Sequence, residues 1–216
     1  MNNEQRDRII KRHRHSVWMY GQGPQALFWE NRRVQELRFD ILLRCGVKAG
    51  DSVLDVGCGF ADLYHYMENR GLDVDYTGID LSPDMIDAAT MRAPDLKLYA
   101  GDMFDFNPPE QAYDWVLLSG ALNEPLQDDG AYVQAMLPRL YAACRKGMAF
   151  NLLNAEYAWS GQQLCTLQAY RPGEIMAGLG LLSPFTHLCV GYMDVDASYL
   201  VWRNEQDQPR SLVGAD

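Results

Sequence analysis

An α/β fold, with a largely parallel sheet covered by helices on both faces, is what this 216-residue sequence predicts. Three observations carry that expectation. From Ser52 onward short apolar runs alternate with helical stretches, the runs are apolar on both faces as buried parallel strands are, and Ser, Pro and Gly mark the ends of the helical stretches.

The elements follow in order. Residues 26–44 carry Leu27, Val34, Leu37, Ile41 and Leu42 at helical spacing, with Pro24 just ahead and Cys45-Gly46 as a stop, so one long helix is expected there. Strands are expected at 53–56, 74–79, 96–100, 115–119 and 148–153. Between them, 61–70 reads as a helix stopped by Gly71, and Ser82 reads as an N-cap followed by Pro83 at the first helical position, with Pro94 past the end. A further helix over 129–146 contains Pro138, which removes a hydrogen bond and costs about 3 kcal/mol in a regular helix, so a kink or a late start is expected. Residues 154–170 show no clean period and read as an insertion. A helix over 172–182 and strands near 185–190 and 198–202 complete the chain, and the polar tail beyond Arg203 is expected to fray.

Composition narrows the class. A chain of this length with 48% hydrophobic residues suits one domain that buries its own core. No run approaches the ~18 apolar residues of a membrane span, and the first residues are polar where a secretory signal is apolar, so no membrane association and a cytoplasmic address are expected. Five widely spaced cysteines without a CxxC pair read as reduced packing residues. The formal charge of −10 opposes a polyphosphate partner, so nucleic acid is not the expected ligand. Positive charge is nonetheless segregated: Arg6, Arg8, Lys11, Arg12 and Arg14 crowd the N-terminus with His13 and His15 between them, which reads as a solvated arm or as a grip on phosphates. Oligomeric state is not legible.

The stretch VLDVGCGFAD, 53–62, ends the first strand in a turn where Gly57 and Gly59 flank Cys58. Missing side chains there let a ligand approach the backbone. A dinucleotide fingerprint would need glycine where Asp62 stands, and a phosphate loop would need Gly-Lys-Ser/Thr, so both fail. Asp55 beside the turn suits a cationic ligand instead. S-adenosylmethionine, with a sulfonium and an ammonium and no phosphate, meets that requirement. Asp80 ends the second strand in TGID, 23 residues past Gly57, where an acid can take both hydroxyls of a ribose. Asp102 ends the third, where a carboxylate can accept from an adenine amine, and Leu81, Met85 and Met103 offer apolar faces to the ring.

VLDVGCGFAD, TGIDLSPDMI, GDMFDF and YDWVLLSGALNE together resemble the ordered motifs of the class I S-adenosylmethionine-dependent methyltransferases over roughly residues 50–153. The resemblance implies a Rossmann-like three-layer sandwich whose seven-stranded sheet is mostly parallel, with the last strand antiparallel beside the fifth. It implies S-adenosyl-L-methionine as cofactor, held by Asp55, Gly57, Cys58 and Gly59 at the methionine end, Asp80 at the ribose, Asp102 at the adenine, and Ser119-Gly120 from the fourth strand. Ala61 departs from the glycine common at its position and tightens the turn. Residues 1–45 are then an arm and helix capping the domain formed by 46–216.

Methyl transfer needs alignment and exclusion of water, and no metal. The expected acceptor is a small molecule; an RNA or protein gripped by the arm, and a non-methylating use of the same cofactor, stay open. Asn123 and Glu124 follow the fourth strand and are candidate catalytic residues, the alternatives being turn stabilisation and a helix cap. Trp18, Tyr20, Phe28 and Trp29 gather around two glycines, either as a closing flap from which Tyr20 reaches the chemistry or as an anchor for the helix. Asn151, Asn154, Tyr157 and Trp159 either bound a substrate pocket or pack as a polar loop. His13 and His15 serve as bases only if the arm folds over the site, while His65 and His187 read as ordinary helix or sheet residues.

Overall fold

The computed structural model describes residues 1–209, and in it the apolar runs become the centre of a twisted sheet. β1 (Ser52–Val56) pairs in parallel with β2 (Asp75–Asp80) on one side and β4 (Tyr113–Ser119) on the other. β3 (Lys97–Ala100) extends the sheet beyond β2, and β5 (Cys144–Asn154) beyond β4, both parallel. β8 (Asp196–Trp202) runs antiparallel beside β5, and β7 (Thr186–Cys189) antiparallel beside β8. The order is β3-β2-β1-β4-β5-β8-β7, mostly parallel and with the last strand antiparallel beside the fifth as the resemblance implied. An eighth strand, β6 (Ala169–Tyr170), pairs with the end of β5. It lies in the segment without a period because two residues are too few to show one.

Helices cover both faces. On one, Met136 and Leu140 of α6 (Ala131–Ala143) and Ile175 of α8 (Pro172–Gly180) pack on Leu118, Phe150 and Tyr199. On the other, Phe39 and Leu42 of α2 (Arg32–Leu43) and Leu63 and Met67 of α3 (Asp62–Glu68) pack on Val53, Trp115 and Trp202. Full burial of side chains this large contributes about 1.5–3 kcal/mol each. α4 (Pro83–Arg92) follows β2 with Pro83 at its first position and Ser82 as the N-cap residue, although the Ser82 side chain makes no capping hydrogen bond. Among the described residues no helix is long and apolar enough to cross a membrane.

Four expectations need correction. Residues 26–44 are not one helix: Pro24–Leu27 form a 3-10 turn, Phe28 takes a left-handed backbone with φ 62°, and Asn31 caps α2 by accepting from the Val34 N–H at 3.0 Å. The cap ends what the apolar spacing alone would continue. The basic N-terminus is not a loose arm but α1 (Asn3–Tyr20), started by a reciprocal cap between Asn2 and Gln5. α6 holds Pro138 in its interior and stops at Ala143, so 144–146, expected as helix, open β5. Cys165 is exposed rather than packed, whereas Cys45, Cys58 and Cys144 are buried and Cys189 is partly buried. In the tail, Glu205–Asp207 form a 3-10 turn, and residues 210–216 lie outside the described residues.

Candidate active site

Beyond the C-terminal ends of β1, β2 and β4 lies a cavity of about 510 Å³. Open parallel sheets place ligands there because the strand order reverses and leaves a crevice. Asp55, Gly57, Cys58, Asp80, Leu81, Met85, Asp102, Met103, Ser119, Gly120, Asn123 and Glu124 all line it. Two expected residues do not. Gly59 lies behind the wall, against Leu27, and its N–H donates to Asp80 Oδ2 at 2.9 Å. Tyr20, at the end of α1, is 55% exposed and outside the cavity.

The carboxylates differ in what they already hold. Asp55 accepts from the Tyr76 hydroxyl at 2.6 Å, and burial pushes its carboxyl up to about 7 against the pull of that bond. Asp80 accepts from the Gly59 and Ser82 N–H groups at 2.9 and 2.8 Å; burial raises it too, offset by His13 and by those two donors. Among the described residues neither acid has an ion-pair partner. Asp102 is different: Oδ1 caps α5 (Met103–Phe106) by accepting from Phe104 and Asp105 N–H groups at 2.9 and 3.0 Å, and Oδ2 accepts from Arg6 Nη1 at 2.7 Å and from the Tyr132 hydroxyl at 3.3 Å. Both of its oxygens are thus occupied by the chain itself, unlike the free acceptor expected for an adenine amine.

α1 roofs the cavity because its polar face finds partners along the rim. Arg6 also pairs with Asp105, Arg12 Nη1 lies 2.7 Å from Glu124 Oε2, and Arg14 Nε lies 3.0 Å from Asp84. Gln5 and Arg8 donate to the carbonyls of Leu126 and Pro125 at 2.6 and 2.7 Å. Those acceptors stand far along the chain, so the sequence shows the charges and hides their pairing. His13 reaches the cavity from this helix, with Nε2 3.5 Å from Glu124 Oε1. Burial alone would raise Glu124, yet His13 and Arg12 hold its carboxyl below the usual range. His15 is exposed and stacks near Trp18 at 5.8 Å, away from the cavity.

The segment after α1 forms the rest of the roof. Leu27 packs on Gly59, and Trp29 lies so close over Gly120 that a Cβ there would sit 2.4 Å from its ring. Asn123 spends both ends of its amide on the backbone, accepting from Leu153 N–H at 3.0 Å and donating to the Gly120 carbonyl at 3.3 Å, which is the turn role. Asn151 accepts from Gly120 N–H at 2.8 Å behind the wall, and of the insertion's aromatics Trp159 lines the cavity while Tyr157 does not. Asp62, which broke the dinucleotide pattern, is buried between Arg32, Arg92 and Gln35 at 2.9, 3.0 and 3.0 Å and moors the glycine turn to α2 and α4. Arg38 escaped the sequence reading: 4% exposed, it lines the cavity, stacks 4.3 Å from the Trp29 ring and pairs with Asp196 at 2.6 Å. Its place on the apolar face shared by Val34, Ile41 and Leu42 was the signal.

Comparison with known proteins agrees with this architecture. The sequence profile of the methyltransferase-domain family matches residues 53–147. A Mycobacterium tuberculosis protein named as a methyltransferase, Rv1506c, is 36% identical over 115 residues, which are 50% of this chain and 68% of that protein. The dTDP-3-amino-3,4,6-trideoxy-alpha-D-glucopyranose N,N-dimethyltransferase of Streptomyces venezuelae is 41% identical over 66 residues, 30% of this chain and only 27% of that enzyme. Among solved structures, magnesium protoporphyrin IX methyltransferase from Synechocystis PCC 6803 with bound S-adenosylmethionine superposes with a TM-score of 0.59 at 15% identity, covering 80% of this chain and 79% of that one. With its motifs at consecutive strand ends and a relative matched over two thirds of its length, the chain belongs to the class I S-adenosylmethionine-dependent methyltransferases.

Proposed function

We propose that this methyltransferase acts on a small molecule enclosed with the cofactor beneath α1. The observation that carries the reading is the roof itself. Three of the five cations of α1, Arg6, Arg12 and Arg14, are paired with acids that follow β3, β4 and β2, so most of the helix's charge is spent on holding it over the site. On this reading residues 1–45 are a cap of the domain formed by 46–216.

The residues present fit S-adenosylmethionine. Two buried carboxylates, Asp55 and Asp80, face one cavity with hydroxyl and N–H donors but no cation of their own. A ligand bringing positive charge and hydroxyl donors satisfies both. Asp55 would hold the ammonium end over Gly57 and Cys58, Asp80 the ribose hydroxyls, and Leu81, Met85 and Met103 the adenine faces, with Ser119 and Gly120 forming the opposite wall. Gly59 acts through its bond to Asp80, and Asp102 through its cap and its hold on Arg6. When bound, the cofactor supplies a methyl carbon activated by sulfonium. The chain's own work is to orient the acceptor and exclude water, for which Phe28, Trp29 and α1 are placed.

A pH dependence follows from Asp55. Its folded value near 7 lies above the unfolded 3.8, so the stability it gives the ligand-free protein is complete below about 3.8 and is lost as pH rises through about 7. A bound cation favours the ionised form. Cofactor affinity is therefore expected to fall about tenfold from pH 8 to pH 6, with proton release on binding near pH 7. Calorimetry in buffers of different ionisation heat measures both, and a flat profile removes Asp55 from the ammonium.

The acceptor is tested by incubating purified protein and labelled cofactor with separated low-mass, RNA and protein fractions. Label is expected in the low-mass fraction, with S-adenosylhomocysteine as co-product. Label in RNA or protein, or methylthioadenosine in place of S-adenosylhomocysteine, would overturn the reading.

A further inference from the structure

Past the end of β4 the cavity continues over β5 and the start of β8, beyond the contacts expected of the cofactor. Its wall there is largely apolar, from Leu153, Trp159, Leu167, Met193 and Val195, and the buried charge on it is Arg38. Glu30 and Gln163 also line the cavity but are exposed. The Arg38 side chain, 5% exposed, is fixed on two sides: Nε lies 2.6 Å from Asp196 Oδ2 at the start of β8, and the guanidinium stacks 4.3 Å from the Trp29 ring. Nη1 spends one donor on the Val34 carbonyl at 3.3 Å. Nη2 has no hydrogen-bond partner among the described residues, and it is not one of the buried side-chain atoms sealed from solvent. The open edge of the guanidinium is thus the edge on the cavity.

A buried ion pair is a poor source of stability, since apolar residues of the same volume do as well or better. The arrangement is explained if the guanidinium serves a ligand. Asp196 and Trp29 hold it so that its remaining donors, both of Nη2 and one of Nη1, form a planar fork that matches a carboxylate.

We propose that Arg38 binds a carboxylate of the methyl acceptor, whose apolar body lies against Trp159, Leu167 and Met193. The inference rests on the small-molecule reading and deepens it by naming the acceptor class, a carboxylic acid with an apolar body. The cofactor carries a carboxylate too, but that group shares a carbon with the ammonium, and an ammonium at Asp55 keeps it beside β1. β8 stands three strands away in the order β1-β4-β5-β8, roughly 14 Å across the sheet. A phosphate is the poorer match. Its second charge would meet Asp196 across the same guanidinium, and Arg12, the other arginine lining the cavity, already holds Glu124.

A binding test needs no turnover. Intact protein saturated with S-adenosylhomocysteine is titrated, by ligand-observed magnetic resonance, with hexanoate, benzoate and cinnamate, each beside its amide, and with phenyl phosphate. At least one acid is expected to bind about tenfold tighter than its amide, as one charge-assisted hydrogen bond accounts for. The preference should vanish in Arg38→Met/Asp196→Asn, which removes both buried charges together and leaves neither unpaired, and weaken in Arg38→Lys, which keeps the charge without the fork. No acid preferred over its amide, a preference that survives the double variant, or phenyl phosphate binding tighter than benzoate overturns the proposal.

Calorimetry with S-adenosylmethionine and its decarboxylated analogue separates the two carboxylates. Arg38→Lys should keep both affinities within about threefold of wild type. A greater loss confined to the carboxylate-bearing cofactor places that carboxylate on Arg38 and overturns the assignment to the acceptor. In the low-mass fraction, the acceptor is expected to be retained by an anion exchanger at neutral pH, and Arg38→Lys to raise its KM by about 10–10²-fold with kcat changed less. An acceptor without a carboxylate overturns the inference. Should the wild-type chain bind cofactor yet methylate nothing of low mass, the proposed function fails, while the comparison of acids with amides still decides whether Arg38 binds a carboxylate.

Discussion

Asp80→Ala is expected to weaken S-adenosylmethionine binding by about 10²–10⁴-fold. The carboxylate would lose two hydrogen bonds to ribose hydroxyls, each involving a charged group and worth about 1.5–3 kcal/mol. A second loss accompanies the first. Asp80 also holds the Gly59 and Ser82 N–H groups, so alanine leaves two buried donors unpaired at about 1–3 kcal/mol each and loosens both the glycine turn and the start of α4. Calorimetry and urea unfolding separate the two effects. Asp80→Asn keeps an oxygen acceptor and should recover part of the stability with little of the affinity. Asp75→Ala is the control: it removes only the exposed pair with Lys97 at the opposite end of β2 and should leave binding unchanged. A folded Asp80→Ala protein with wild-type affinity would take the ribose away from this acid and with it the order of contacts along the strand ends.

The strand ends were legible because the information for them is local. VLDVG, TGID and VLLSG each carry an apolar run and the residue that faces the ligand within a few positions, and the structure brings them to one crevice. The pairing that holds the roof was not legible for the opposite reason. Nothing within α1 marks it as a lid, since the partners of Arg6, Arg12 and Arg14 are Asp102, Asp105, Glu124 and Asp84, which follow three different strands and which only the folded sheet gathers. The broken helix at 28–31 was hidden by a competition of similar terms: Leu27 fits the apolar spacing of α2, but Asn31 is a stronger stop than that spacing is a bridge. Ala61 shows the intermediate case. The departure from glycine was visible and its consequence was not, until the residue appeared buried at φ 57° as the first residue before α3, a left-handed position that explains why glycine suits it.

Gly57→Ala should abolish cofactor binding and cost more stability than an alanine at any open left-handed glycine. Two penalties coincide at Gly57. Its φ of +76° is a conformation that costs an L-residue about 1–2 kcal/mol, and a Cβ there would lie 2.2 Å from the Cβ of Ala121, at the end of β4. Neither neighbour can retreat easily: Gly57 N–H is bonded to the Ile79 carbonyl at 2.8 Å, and the backbone beside Ala121 is held by the Asn151 bond to Gly120. Gly71 has nearly the same φ, +70°, with nothing within 4 Å of its virtual Cβ, so Gly71→Ala measures the conformational penalty alone. Subtracting it from Gly57→Ala gives the steric part. The double variant Gly57→Ala/Ala121→Gly then removes the clashing methyl, leaving the Ala121 Cα position 3.6 Å away. Its stability is expected to return to that of Gly71→Ala, with cofactor binding partly restored. Chemical denaturation of the wild type, Gly57→Ala, Ala121→Gly and the double variant closes the cycle, and additivity of the two substitutions would show that the glycine is required for its backbone angle and not for the approach of β4 to the turn.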